Sequence, residues 1–138
     1  MYALVVGGGK VGYHITKALL QKGHEVTLIE RDKDMDIRFA KEFGDSFFLG
    51  DGCHPSVLEE TGIRRAEILI AVTGDDQDNL VVCDIALRHF KVPRVIARVV
   101  DPKNKKIYQK MGIEITVDAT GIVTNLIEQA VIAKDIIP

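Results

Sequence analysis

Apolar residues along this chain fall into short continuous runs, separated by segments where they recur every three or four positions. Tyr2 to Val6 is the first run, β-branched-rich and without a polar break, and reads as a buried strand. It stops at glycines. From Val11 the apolar spacing turns helical (Val11, Ile15, Ala18, Leu19), until Gly23-His24 breaks it. Glu25 to Ile29 reads as a second strand with Glu30 at its tip. The polar run Arg31 to Asp34 opens a helix whose buried side is Ile37, Phe39, Ala40 and Phe43, and Gly44-Asp45 ends it. Ser46 to Leu49 is a third strand, closing in Gly50-Asp51-Gly52. His54-Pro55-Ser56 then opens a helix, since proline suits a first turn, and Gly62 stops it.

Glu67 to Val72 is a fourth strand, continuous in Ile, Leu, Ala and Val, as expected for a strand of a parallel sheet buried on both faces. Thr73 to Asp76 turns into a helix running to Phe90, and Val92-Pro93 separates it from a fifth strand, Arg94 to Val99. Asp101-Pro102 starts a helix ending at Met111-Gly112; Glu114 to Val117 is a sixth strand, and Thr120 to Lys134 a last helix. Six strands alternating with helices predict one α/β domain over residues 1–138. Its sheet is parallel, doubly wound and Rossmann-like, with expected strand order 3-2-1-4-5-6 and right-handed crossovers. In such a sheet a ligand sits outside the carboxyl ends of the strands, at the switch between strands one and four. That brings Gly7 to Gly12, Glu30, Asp51 and Thr73 to Asp75 around one crevice.

Gly7, Gly9 and Gly12 fit G-x-G-x-x-G, between a strand and a helix start as the dinucleotide-binding fingerprint requires. Gly7 permits a tight turn, Gly9 lets the backbone approach a pyrophosphate, and Gly12 lets the helix lie against the strand. Amides of the first helical turn point at the phosphates, aided by the helix dipole. Glu30, eighteen positions after Gly12, supplies the acidic residue that accepts ribose hydroxyls. Together these features predict an adenine-nucleotide site.

Composition narrows the partners. A net charge of −2 gives no broad basic field for nucleic acid or anionic membrane; the cluster Lys103, Lys105, Lys106 and Lys110 reads as a solvated helix face. Cys53 and Cys83 are too few for a disulfide framework, and Cys53-His54 lacks the further ligands of a metal site. The first residues form a strand rather than a signal peptide, and no apolar run approaches the ~18 residues that span a bilayer, so the default setting is cytoplasmic and reducing. The last helix carries apolar residues on more than one face (Ile122, Val123, Leu126, Ile127, Ala130 to Ala133), more than one domain can bury. Residues 120–138 are therefore expected to pack on a further surface.

The segments Val-Val-Gly-Gly-Gly-Lys-Val-Gly, Lys-Gly-His-Glu-Val-Thr-Leu-Ile-Glu, Gly-Asp-Gly, Ala-Val-Thr-Gly-Asp-Asp-Gln-Asp-Asn and Ile-Ala-Arg-Val-Val-Asp, in this order, resemble the RCK/KTN family. These are nucleotide-binding regulatory domains of potassium channels and uptake systems. The resemblance covers nearly the whole chain. It implies phosphate contact from Gly7, Gly8, Gly9, Lys10, Val11 and Gly12, with Lys10 where the family often has arginine. It further implies ribose contact at Glu30, with Arg31 against the adenine. Asp51, with Gly52 and Cys53, falls at the adenosine portion. Thr73, Gly74 and Asp75 fall at the far half of the ligand, Asp76 and Asn79 at the helix start beyond it, and Arg98 near the cleft. Several of these positions carry a second reading: Lys10 as a solvated residue, Asp76 and Asn79 as helix caps, Arg98 as one half of an ion pair.

This sequence departs from the family pattern at Gly52-Cys53 and at Asp118-Ala119-Thr120, and the family's common second lobe is not among these 138 residues. The resemblance also implies that the last helix crosses to a partner subunit. The expected function is thus non-enzymatic: a cytoplasmic homodimer, assembling further into a ring, that binds NAD(H) or ATP/ADP and controls a potassium-conducting membrane protein. Glu30 disfavours a 2′-phosphate, although Arg31 offsets it in part. An NAD-dependent dehydrogenase, or its isolated cofactor domain, fits the glycine fingerprint equally. It is weakened because the sheet uses the whole length and leaves no substrate domain. A nucleotide-stabilised dimerisation module is the third reading.

Overall fold

Strand β1 (Tyr2–Val6) is buried at every position, because parallel neighbours flank it on both edges and helices cover both faces. Those neighbours are β2 (Glu25–Glu30) and β4 (Ile68–Ala71). With β3 (Phe47–Leu49), β5 (Arg94–Val99) and β6 (Ile115–Asp118) they form one parallel sheet in the expected order, β3-β2-β1-β4-β5-β6. This is a Rossmann-like doubly wound α/β fold. The computed structural model describes residues 1–134, so the final residues of the expected packing helix, 135–138, lie outside the described residues.

Alternation along each strand splits the core into two layers. Leu4, Val6, Leu69, Ala71, Val95, Ala97 and Val99 face one way, meeting Leu58 of α3 (Pro55–Glu60), Val82 and Cys83 of α4 (Asp76–Asp84), and Tyr108 of α5 (Lys105–Met111). Ala3, Val5, Val26, Leu28, Ile68 and Ile70 face the other. They meet Ile15 and Leu19 of α1 (Lys10–Gln21) and Phe39 of α2 (Asp36–Phe43).

The second layer is incomplete. Ile96 and Arg98 pair in register with Ile115 and Val117 on that face, yet Ile115 and Val117 are 38% and 39% exposed. Nor does α6 (Ala119–Ala133) cover them, for none of its residues is buried.

Several boundaries differ from the sequence reading by one residue, those of β2, β3 and β4 among them, and one helix differs in kind. The helix expected to run from Asp76 to Phe90 is α-helical only to Asp84 and ends in a π turn over Ile85–His89. There the Phe90 amide donates to Ile85 O, and the Val92 amide to Ala86 O. Lys91 takes a left-handed φ of 53°, so the widened turn reverses the chain into β5. Strand β6 starts one residue later than expected, at Ile115.

Candidate nucleotide-binding site

The carboxyl ends of β1, β2, β3 and β4 enclose a crevice of about 350 Å³ at the sheet's switch point. That lies in the range of small-ligand sites. Its floor is the glycine turn after β1. The Gly7 amide donates to Ile29 O at 2.9 Å, and its φ of +113° lies in a region that favours glycine. A Cβ there would stand 2.7 Å from Thr73 N, so the turn lies against the end of β4. At Gly12 a Cβ would stand 1.6 Å from Gly7 O, so α1 can reach the turn only with glycine here. Gly9 differs: no atom lies within 4 Å of where its Cβ would be. It caps α1 without a side-chain hydrogen bond, leaving amides of the first turn available to an anion.

Glu30 stands beside the glycine turn, locked by the backbone. Its Oε1 accepts from Gly8 N at 2.7 Å and its Oε2 from Asp32 N at 2.7 Å. A carboxylate accepts about four hydrogen bonds, so capacity remains for hydroxyls in the crevice. On the β3 side, Asp51 Oδ1 accepts from Cys53 N at 2.9 Å, forming a tight turn. Gly52 packs against Val6, where a Cβ would stand 2.6 Å from Cγ1. Arg31 extends across the mouth, its Nη2 3.1 Å from Asp78 Oδ2 and its Nη1 3.9 Å from Asp51 Oδ2. Burial, then the carboxylates of Asp51 and Asp78, push the Cys53 thiol up to about 12. It is a protonated thiol at neutral pH, unsuited to nucleophilic work.

The β4 rim is the most interlocked part. Asn79 is fully buried; its Oδ1 accepts from Thr73 N (3.0 Å) and Thr73 Oγ1 (2.7 Å), while its Nδ2 donates to Thr73 O (3.2 Å) and Arg98 O (3.1 Å). Asp75 caps α4 by accepting from Asp78 N at 3.1 Å. Asp76 accepts from Val100 N (2.7 Å), Asp101 N (2.8 Å), Asn104 Nδ2 (2.8 Å) and Tyr108 Oη (2.5 Å). Burial alone would raise its pKa; bonds from Tyr108, Val100, Asn104 and Asp101 outweigh this and hold it below the ordinary aspartate value. Neither residue is the cap the sequence suggested. Asn79 fastens the rim to β5, and Asp76 fastens it to the turn after β5 and to α5.

Gly7, Gly9, Glu30, Arg31, Asp51, Gly52, Cys53, Thr73, Gly74 and Asp75 thus share one crevice. Five other expected site residues do not line it. Gly8 contributes its amide to Glu30, and Gly12 serves the approach of α1 to the turn. Lys10 lines a neighbouring cavity of about 390 Å³ with Tyr13, His14 and Arg38, and Val11 is exposed on α1. Arg98 contributes its carbonyl to Asn79, while its Nε is buried without a partner among the described residues. Asp32, Met35, Gly50 and Asp78 line the crevice but were not anticipated. Asp78 was legible in principle, since its spacing from Asp75 puts both on one face of a helix start. No group of His, Cys, Asp and Glu among the described residues could hold a metal ion.

The family model of the TrkA-N domain matches residues 3–119. The chain belongs to the TrkA-N domain family. It is 37% identical over 139 residues to the Trk system potassium uptake protein TrkA of Mycobacterium tuberculosis, a match covering 99% of this chain and 62% of that protein. The chain therefore spans less than two thirds of that relative's length. Among solved structures, GsuK bound to ADP superposes with a TM-score of 0.83 at 21% identity, over 97% of this chain and 34% of that one. The GsuK channel bound to NAD gives 0.74 at 21%, over 88% and 22%. At such identities these two establish a shared fold, which gives the TrkA-N crevice its setting at the switch point. No helix among the described residues is long and apolar enough to cross a membrane.

Proposed function

We propose that this TrkA-N domain is a nucleotide-sensing regulatory unit, binding NAD(H), with ADP or ATP as the alternative occupant, and acting on a potassium-conducting membrane partner. The observation that carries the reading is Glu30, held by Gly8 N and Asp32 N with its free capacity toward the crevice, facing the open approach at Gly9. That arrangement takes an adenosine ribose on one side and a pyrophosphate on the other. The two GsuK structures support it, because ADP and NAD share this adenosine diphosphate half. The potassium-conducting partner is inferred from the M. tuberculosis relative, a potassium uptake protein. The output is mechanical rather than chemical. Ligand biases the geometry of a homodimer in which α6 packs on the second copy, and this requires unequal affinity for two arrangements.

The test is calorimetric titration of the chain with NAD+, NADH, ADP and ATP, beside Glu30→Ala. Loss of a charge-assisted hydrogen bond of about 1.5–3 kcal/mol predicts at least tenfold weaker binding by the variant. Undiminished affinity would remove Glu30 from the site, and silence from every nucleotide would overturn the proposal.

A further inference from the structure

We infer that Asp78 is a specificity-determining residue of this crevice. By holding the Arg31 guanidinium, it denies the adenosine ribose its nearest cation and so excludes nucleotides that carry a 2′-phosphate. The inference rests on the nucleotide reading above and goes beyond it in assigning the choice between ligands to a residue outside the glycine fingerprint.

The sequence leaves this choice open. An acid at the tip of the second strand accepts the ribose 2′-hydroxyl, whereas a nearby arginine accommodates a 2′-phosphate. This chain has both, as adjacent residues: Glu30 ends β2 and Arg31 follows it directly. Which prevails depends on where the guanidinium is held.

Arg31 points away from the strand tip, across the mouth, to α4. Its Nη2 is 3.1 Å from Asp78 Oδ2, and its Nη1 is 3.9 Å from Asp51 Oδ2. The same Asp51 oxygen also has His54 Nε2 at 3.6 Å, so Asp78 is the closer and less shared anchor. Asp78 is also the better-fixed partner. It sits in the first turn of α4 with its amide capped by Asp75, and its side chain is 23% exposed against 59% for Arg31. A carboxylate is also favoured at that end of a helix.

No other cation takes the place of Arg31. The crevice is lined by the carboxylates of Glu30, Asp32, Asp51, Asp75 and Asp78, and by Arg31 as its one basic side chain. Lys10 and Arg38 line the neighbouring cavity, where the Arg38 guanidinium lies 5.4 Å from the centre of the Tyr13 ring. A 2′-phosphate would therefore meet Glu30 without a counter-charge. It could recruit Arg31 only by stripping Asp78 of its partner. A ligand with a free 2′-hydroxyl incurs neither cost.

The experiment is calorimetric titration of NAD+ and NADP+ into the unaltered chain, Asp78→Asn, Arg31→Gln and the double variant, each checked by thermal melting. Asp78→Asn keeps the amide that Asp75 caps, and Asp78→Ser removes the same carboxylate should the asparagine form fail to fold. Freeing an exposed guanidinium is worth about fivefold. The ratio of the NADP+ to the NAD+ dissociation constant should fall by that factor in Asp78→Asn, chiefly through tighter NADP+. With Arg31→Gln in the background the gain should vanish. An unchanged ratio overturns the inference. So does an equal fall in the Arg31→Gln background, since the carboxylate would then act by plain repulsion. In either case NAD+ binding by the unaltered chain leaves the nucleotide reading standing. Binding of neither ligand by that chain overturns the inference, and the nucleotide reading falls with it only if ADP and ATP are silent as well.

Discussion

Around the crevice the chain meets its own polar demands, whereas along α6 it leaves its own apolar residues in water. Thr73 is bonded to Asn79, Asn79 and Asp76 hold bonds to β5 and to the turn and helix after it, and Glu30 is tied at both oxygens by backbone amides. By contrast Leu126 and Ile127 of α6 are 61% and 60% exposed, beside a sheet face where Ile115 and Val117 are open as well. The crevice can thus be rigid before any ligand arrives. Along α6 the apolar side chains of a single copy stay uncovered among the described residues. The proposed ligand site and the proposed contact along α6 are built on different terms, and changes at each should separate cleanly.

The largest effect is expected where the crevice is structural rather than chemical. Gly12→Ala puts a Cβ 1.6 Å from Gly7 O, so α1 must retreat from the turn. Overpacking of this kind costs about 3 kcal/mol, a fall of roughly 10 °C in melting temperature, measured by circular dichroism. A variant that melts with the native chain would mean that the close approach of α1 is not needed.

Next comes Asp76→Ala, which removes one acceptor from four donors and should cost about 3 kcal/mol at pH 7 by urea unfolding. The pH dependence has a definite sign. The folded-state pKa lies below the ordinary value of about 3.9, so the stabilisation is present above that value. It is lost as pH falls through the lower folded value. The gap between the native chain and the variant should therefore be full at pH 7 and narrow toward pH 3. A gap of constant size would show that the ionised form is not what the rim depends on.

Gly9→Ala sharpens the comparison from the other side. The position has an extended backbone and open space, so stability should stay within about 0.5 kcal/mol. NAD+ or ADP affinity should nonetheless fall about tenfold, because the methyl occupies the approach a pyrophosphate needs. If Gly9→Ala binds normally, the phosphates lie elsewhere.

These contrasts show which parts of the molecule were legible in its sequence. Strand order followed from the alternation of apolar runs with helical spacing, and β5 fell on the expected residues because Pro93 marks its start and Asp101-Pro102 its sequel. The glycine turn and Glu30 were readable because their chemistry is local. Asp76 and Asn79 were not: Asp76 has partners 24 to 32 residues away and Asn79 one 19 residues away, and spacing along one helix says nothing of them. The placing of Arg98 was hidden for a similar reason. Its register is clear, but only the folded sheet shows its carbonyl engaged by Asn79 and its guanidinium outside the crevice lining. The π turn after Asp84 was hidden because its apolar spacing resembles that of the α-helix before it.

The smallest effect on a single chain, and the one that most directly tests the contrast, belongs to α6. Replacing Leu126 and Ile127 by glutamate adds two charges to residues already in water, so thermal stability of the isolated fold should change by no more than about 0.5 kcal/mol. Assembly should respond strongly. If α6 packs on a second copy, burying two glutamates unpaired at that contact is prohibitive, and light scattering should report a drop from twice the chain mass to once. The crevice, fastened to β5 and α5 rather than to α6, should still bind nucleotide in the monomer. If the native chain already runs as a monomer, the open face of β5 and β6 is matched to some other surface, and the dimer reading falls while the crevice is untouched. If the variant loses both mass and nucleotide binding, the two regions are not independent. The ligand site would then be completed by the second copy.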